Sequence, residues 1–448
     1  MSSAPTTPQP DSIIASVGQS ARHTASPRWR RLGPTASIGV LASIVVSLLA
    51  ASSAPTPLYA VYQQHWGFSP ITVTVVFGVY AVAVLLSLLV FGKISDHMGR
   101  RPVLLVALIV QALAMVVFVT AGGADALLTA RVVQGISTGA AVGALGAGML
   151  DIDARRGGFL NSLAPTLGTA AGALVSGVIV QYLPAPMRLI YLVLLGVFVL
   201  QALAVLAMPE TVTRKPGALA SMAPEFKLPR SVRAAVAIAA PVMFAVWALT
   251  GLYAALGPAI SRALVHSTSV VWGGLPLFVL AASAGLAVVL LREVATRNVM
   301  LIGIGALVLG VVITLVSIAS GAGGTLSVIG FFVGGAISGF GFGGGFQGGI
   351  RLVVPSVEPH ERAGVLSLLY VVCYVGLGVP AVIGGVLVVH GGGLVQTSRE
   401  YGVAVIALAL VALTGLLLSG RRAEAVTVVR PEADLPREVA PAAGCPQR

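Results

Sequence analysis

Arg131 is the residue of this chain with the most chemistry to offer, because it stands inside an apolar run from residue 126 to 149. A guanidinium at such depth costs about 2.5 to 3.5 kcal/mol on insertion scales unless it is paired or hydrated. It either serves a function at depth or snorkels outward from its place near Asp125. A second charged set lies at residues 92–102, where Gly92, Asp96, Gly99, Arg100 and Arg101 follow one another. Gly92 lets a neighbouring helix approach, Asp96 can sit at a helix amino terminus where the dipole favours a carboxylate, and Gly99 permits a tight turn before two basic anchors. Asp151 falls at the inner end of the fourth apolar run. What the chain lacks is equally informative. All 15 Asp and Glu fall outside the apolar runs, and His23, His65, His97, His266, His360 and His390 sit in tails, loops or run ends. Cys373 and Cys445 are too few for a disulfide framework or a zinc site. With no nucleophile beside a base and no cluster of metal ligands, an enzyme is not expected, and neither is a cofactor or metal.

Polar and aromatic side chains near the middle of apolar runs are the candidates for a binding pocket. These are Tyr80, Ser137, Trp247, Tyr370 and Tyr374, with Gln134 and Gln347 nearer the run ends. Singly, each can equally be packing or an internal hydrogen bond. As a set they describe a cavity of aromatic faces with few charges, which suits amphipathic or weakly polar solutes. Tyr59 and Tyr62 lie where aromatic belts form and are left out of the set. The glycine-dense stretch from Gly334 to Gly349 contains Gly-x-Gly-x-x-Gly spacings, but no strand precedes it and no charged partner follows, so it is not a dinucleotide loop.

The elements that must hold these residues follow from composition. Of 448 residues 57% are hydrophobic, 54 are Gly and only 9% are charged, against about 25% charged in an ordinary soluble domain. The solvent for such a chain is a bilayer. Twelve apolar runs of near 20 residues or more are long enough to cross it as helices, the fourth at 126–149 and the last at 401–419. The chain divides into a polar tail at 1–35, six helices at 36–208, a charged linker at 209–233, six helices at 234–419 and a second polar tail at 420–448. Both tails are expected to be disordered. The run from Ser37 to Ala54 also has the layout of a secretory signal, but its apolar character continues past Pro55 and Pro57 to Tyr62, so it reads as the first span. Of the 27 Lys and Arg, 23 fall on one side of this topology and only Arg188, Arg262 and Arg399 on the other. The positive-inside rule then places both termini in the cytoplasm, in a plasma membrane. The net charge of +12 is accounted for by topology and lipid headgroups, so nucleic acid is not an expected partner.

The halves read as copies. At an offset of 200, Gly135, Gly139, Gly143 and Gly148 match Gly335, Gly339, Gly343 and Gly348. Glycines four apart share a helix face, so Gly335, Gly339 and Gly343 fit helix contact or a hinge. Parallel repeats of this kind build two six-helix bundles around a central cavity.

The segment Gly92-Lys93-Ile94-Ser95-Asp96-His97-Met98-Gly99-Arg100-Arg101-Pro102 resembles the signature of the major facilitator superfamily between its second and third helices. Arg131, Gln134 and Gly135 resemble that family's fourth-helix motif. Gly168, Gly172 and Gly177 on the fifth helix resemble the antiporter motif of its drug exporters, Gly-x-x-x-Gly-Pro-x-x-Gly-Gly, with Ala173 in place of the Pro and Ser176 in place of a Gly. The resemblance implies an all-α membrane protein of twelve transmembrane helices. It implies further that Asp96, Arg100 and Asp151 latch the cytoplasmic side when the transporter faces outward, and that Arg131 takes part in proton coupling. The corresponding loop of the second half, Arg292 to Arg297, has lost most of the signature, so no equal latch is expected there. Proton-driven relatives usually carry a membrane carboxylate. Here Asp125 with Arg131, or Asp151, would be the proton site. The activity implied is secondary transport by a monomer, with a small molecule and protons as partners: first export of drugs or metabolites, alternatively uptake or facilitated diffusion of a sugar, amino acid or organic acid. A transporter-like sensor would add a soluble signalling domain, for which neither tail is long enough.

Overall fold

In lipid every backbone N–H and C=O must be satisfied within the segment, so long apolar runs fold as helices. The computed structural model describes residues 32–223, 228–320, 324–358 and 361–428. Residues 1–31 and 429–448, the bulk of the two expected tails, lie outside the described residues. The helices are α1 (Pro34–Ser53), α2 (Pro55–Trp66), α3 (Pro70–Phe91), α4 (Ser95–Met98), α5 (Arg100–Thr120), α6 (Ala124–Ile152), α7 (Ala154–Tyr182) and α8 (Leu189–Leu206) in the first half. The second half holds α9 (Arg233–Ala255), α10 (Gly257–Val265), α11 (Val271–Leu290), α12 (Thr296–Ala319), α13 (Thr325–Val353), α14 (Arg362–His390) and α15 (Gly393–Val428). Among the described residues twelve stretches are long and apolar enough to span, six in each half. The first span is α1 run into α2, since Ala54 keeps helical dihedrals and Pro55 opens the next helix, where its missing N–H costs little.

Each half has its own core. Ile44, Leu104, Leu145 and Tyr191 are buried together in the first, and Val246, Leu280, Leu307 and Phe331 in the second. Across the halves the most extensive meetings are α7 with α11 and α3 with α14, with smaller ones of α2 with α10 and α11 and of α3 with α9. The two extensive meetings are close. A methyl carbon added at Gly274 would lie 2.2 Å from the Ala173 carbonyl oxygen, and one at Gly78 would lie 2.6 Å from the Val382 side chain.

The repeat is visible as geometry at two of the four glycine pairs. Gly139 and Gly143 seat α6 on the backbone of α3 and its end, and Gly339 and Gly343 seat α13 on the backbone of α11. Helices α3 and α11 are the second spans of their halves, so the contact is the same one made twice. The outer two pairs differ: Gly135 lies on α3 but Gly335 on the Tyr253 ring of α9, and Gly148 faces Leu41 whereas Gly348 faces Met300.

Two span boundaries expected from hydropathy are corrected. Helix α6 takes in Asp125 and Asp151, and the last span begins at Gly393 and takes in Arg399 and Glu400. Three acids therefore sit on spanning helices, near their ends, because a helix continues through the interfacial layer where charges stay hydrated.

Candidate functional site

Nine helices enclose a cavity of about 1000 Å³ between the halves: α1, α2, α3, α6 and α7 from the first, α9, α11, α13 and α14 from the second. Its far end is floored by Thr56, Phe77, Ala254 and Leu277. Beyond that floor the halves are sealed by glycine contacts and by the Val270 amide, which donates to Gln181 Oε1 at 2.9 Å. At the other end the wall is Arg155, Arg156, Arg292, Glu293 and Arg351, on the side where the linker leaves α8. The cavity is closed at one end and charged at the other.

Its two walls differ. From α1, α2 and α7 come Ser52, Ser53, Thr56, Asn161, Thr166 and Thr169. Most of these hydroxyls are donated to carbonyls: Ser53 to Thr169 at 2.9 Å, Thr166 to Leu163 at 2.8 Å, Thr169 to Pro165 at 2.9 Å. From α9, α13 and α14 come rings. Trp247 lies 5.0 Å from Tyr374, 5.9 Å from Phe346 and 6.3 Å from Phe342, centroid to centroid, all tilted. These rings recur at helical spacing, so they form one continuous face.

Behind the first wall lies Arg131, fully buried. Its Nη1 donates to the Ser52 carbonyl at 2.9 Å and to Gln134 Oε1 at 2.8 Å, and its Nη2 to the Tyr59 hydroxyl at 2.6 Å. The Tyr80 ring lies 5.1 Å from the guanidinium carbon, and the Tyr59 and Phe118 rings lie 5.9 Å away. Three neutral acceptors and three aromatic faces hold the charge, and among the described residues no carboxylate is bonded to it. The partnership of Asp125 with Arg131 is not made. Asp125 is exposed on the first turn of α6 while Arg131 is turned into the bundle. Tyr59, passed over as a belt residue, is a direct ligand of the arginine.

The family assignment can now be tested against known proteins. The pattern of the Major Facilitator Superfamily matches residues 40–315. The chain belongs to that superfamily. It is a multi-pass membrane protein of a transporter family, with the superfamily's twelve helices in two bundles. A 64-residue stretch is 42% identical to Multidrug resistance protein D of Escherichia coli strain K12, and this covers 14% of the chain and 16% of that relative. The chain thus spans about a sixth of the curated relative that it matches. Among solved structures, a mutant of nucleoside transporter NupG superimposes with a TM-score of 0.65 at 13% identity, covering 86% of this chain and all of that one. Unmutated NupG gives 0.60 at the same identity, with 86% and 98% covered. At that identity the likeness is one of fold.

On this frame the candidate residues of the transporter fall into place or out of it. Tyr80, Trp247, Gln347, Tyr370 and Tyr374 all line the cavity. Gln134 is tied to Arg131 instead. Ser137 is a correction, because its hydroxyl donates to the Ala107 carbonyl of α5 at 2.8 Å, on the side of α6 away from the cavity. The charged set at the linker side does assemble. Arg100 pairs with Asp96, donates from Nε to Asp151 at 3.1 Å and from Nη1 to Ser95 at 2.7 Å. Arg101 donates to the Leu206 carbonyl. All of these partners belong to the first half, and the set is intact while the cavity reaches the same end. As drawn here it fastens α4, α5 and α6 to one another, and is not itself a tie between the halves.

Two participants escaped the sequence reading. Glu210, just past α8, accepts the Arg100 and Arg101 amides at 2.8 and 3.0 Å and so caps α5. It also explains Gly99, which has φ +99 and where a methyl would stand 2.7 Å from Glu210 Oε2. In the second half, Arg351 donates to the carbonyls of Arg292 at 2.7 Å, Val294 at 3.2 Å and Leu291 at 3.3 Å, capping the end of α11. Gly168 and Gly172 seat α7 on α1, where an added methyl carbon would lie 2.3 Å from the Val46 and 2.2 Å from the Ala50 carbonyl oxygen, whereas Gly177 faces Val271 across the halves.

Proposed function

We propose that this chain is a secondary active transporter that exports a small organic solute, a drug or metabolite, in exchange for protons. One observation carries the reading: a cavity of about 1000 Å³ built by both halves, sealed at one end and reaching the basic face at the other. With 23 of 27 Lys and Arg on that face, the positive-inside rule makes it cytoplasmic and the conformation inward-facing. Both termini then lie in the cytoplasm and the membrane is the plasma membrane. Rocking of the halves about the floor would exchange the two openings. The short stretch shared with Multidrug resistance protein D supports export. A single chain supplies the whole cavity, so a monomer suffices.

In this reading Asp96, Arg100, Arg101 and Asp151, with Gly92 and Gly99, keep the inner end of the first half rigid as the halves move, and Arg131, a fixed positive charge bonded to Ser52, Gln134 and Tyr59, takes part in coupling through its field. Purified protein in liposomes, loaded with solute and assayed with and without a pH gradient, tests the coupling. Export that follows the gradient supports exchange, and movement only down the solute gradient makes it a facilitator. A strain that overproduces the protein is screened beforehand against toxic compounds and carbon sources. Resistance is expected, and a nutrient phenotype would reverse the direction.

A further inference from the structure

The charges on and behind the cavity wall are mostly positive. At the mouth stand four guanidiniums, of Arg155, Arg156, Arg292 and Arg351, against two carboxylates, Glu293 at 3.1 Å from Arg292 and Asp153, just behind the wall, at 3.7 Å from Arg156. Deeper, no charged side chain lines the cavity. The next charge behind the wall is Arg131, separated from the cavity by Ser52 and Tyr80, both of which line it and both of which touch the guanidinium. A charge in a low-dielectric surrounding with only neutral partners projects its field into the nearest open space. The cavity is that space.

We infer that the solute is an organic anion with an apolar, ring-bearing body, its carboxylate or similar group set down against the Ser52, Ser53 and Tyr80 wall in front of Arg131. This rests on the cavity being the transport path. The body would lie on Trp247, Phe346 and Tyr374, whose tilted packing offers hydrogen-bearing ring edges as well as faces. An ammonium compound would cross a mostly basic mouth and, past Glu293, meet no carboxylate among the described residues that line the cavity. A neutral compound would leave the field of Arg131 unused. The hydroxyls of the first wall can turn from their helix carbonyls toward an anion, since a hydroxyl hydrogen rotates freely. The mouth arginines act at longer range and would speed the arrival of an anion more than they hold it.

The test uses three probes of one shape, 1-naphthoate, 1-naphthamide and 1-naphthylmethylammonium, titrated calorimetrically into the purified full-length protein. Naphthoate is expected to bind at least ten-fold tighter than the amide, and the ammonium compound not to saturate. Arg131→Gln should bring naphthoate down to the affinity of the amide without changing the amide, and Arg131→Lys should keep the preference. Arg155→Gln with Arg156→Gln should slow association several-fold at low salt and lose that effect at high salt. The inference is overturned if the amide or the ammonium compound binds as well as naphthoate, or if folded Arg131→Gln keeps the preference. Should Arg131→Gln not fold, the wild-type ranking and Arg131→Lys decide. Binding of none of the three also overturns it, while the export reading is judged separately by the resistance screen and the pH-gradient assay.

Discussion

The two halves repeat a backbone and not a chemistry. At the offset that aligns their glycines, Phe331 occupies the place of Arg131, and Arg351 the place of Asp151. In the first half a guanidinium is buried among Tyr59, Tyr80 and Phe118, while in the second the corresponding ring of Phe331 stacks on Tyr253 with centroids 5.8 Å apart. At the basic end the first half closes on Asp–Arg pairs and the second on an arginine donating to carbonyls. Both halves supply charge at the mouth, but deeper in, the first supplies most of the hydroxyls, with a guanidinium behind them, and the second supplies most of the rings. The repeated part is the glycine contact between the second and fourth spans of each half, and what differs is the side chains that each half turns to the cavity.

The largest expected effect tests the shared part. Gly139→Val and Gly339→Val each press a side chain onto backbone, where the first added carbon would stand 2.5 Å from the Val84 and 2.2 Å from the Leu280 carbonyl oxygen. Both should destabilise by about 3 kcal/mol or more, seen as a loss of monodisperse protein and a lower melting temperature. Tolerance of one but not the other would end the claim that the contact is repeated. Next comes the specialised part. Arg131→Ala should reduce accumulation against a gradient by about 100-fold, taken as the loss of a charge-assisted site of roughly 2 to 3 kcal/mol, while the protein still folds. Phe331→Ala should do the reverse, lowering the melting temperature through a cavity worth about 3 kcal/mol and leaving the rank order of solutes unchanged. If Arg131→Ala lowers accumulation only as far as it weakens binding of an anionic solute, the arginine acts through the solute alone and takes no part in coupling.

A smaller difference is expected between the two fastenings at the basic end. Arg100→Ala leaves Asp96 and Asp151 facing each other without their shared cation, so turnover should fall several-fold, and Asp96→Asn should fall less because that carboxylate is half exposed. Arg351→Ala leaves carbonyls that water can reach, and turnover should change by no more than about two-fold. Smallest of all is Ser137→Ala. One interhelical hydrogen bond in a bundle is worth about 0.6 kcal/mol, which a thermal melt should register as a slight shift with transport intact.

Hydropathy and charge make the twelve spans and the two halves legible, and the spacing from Gly92 to Arg101 announces a charged cluster from residue types alone. What stayed hidden has physical causes. In a membrane helix the lipid-facing and core-facing sides are both apolar, so nothing in the sequence of α6 says that Ser137 turns toward α5 while Tyr80 of α3 turns to the cavity. Glu210 binds backbone amides of residues 109 and 110 positions away, and amides leave no trace in residue type. Arg351 is a similar case, since its acceptors are carbonyls. The ends of α6 and of the last span were drawn too short because hydropathy reports the hydrocarbon and not the helix. Tyr59 was misread for a related reason, as an outward belt residue where it is an inward ligand of Arg131.

The glycine seams at the sealed end bear on speed. Where Gly274 rests on Ala173 and Gly78 on Val382, few side chains interlock, so the two faces can slide apart without rotamers having to unhook. The carbonyls there already belong to their own helices, and separating the faces forfeits mainly dispersion contacts, each only a few tenths of a kcal/mol at most. Small residues make this latch tight when shut and cheap to open, which suits a door that, on the proposed transport cycle, swings at every turnover.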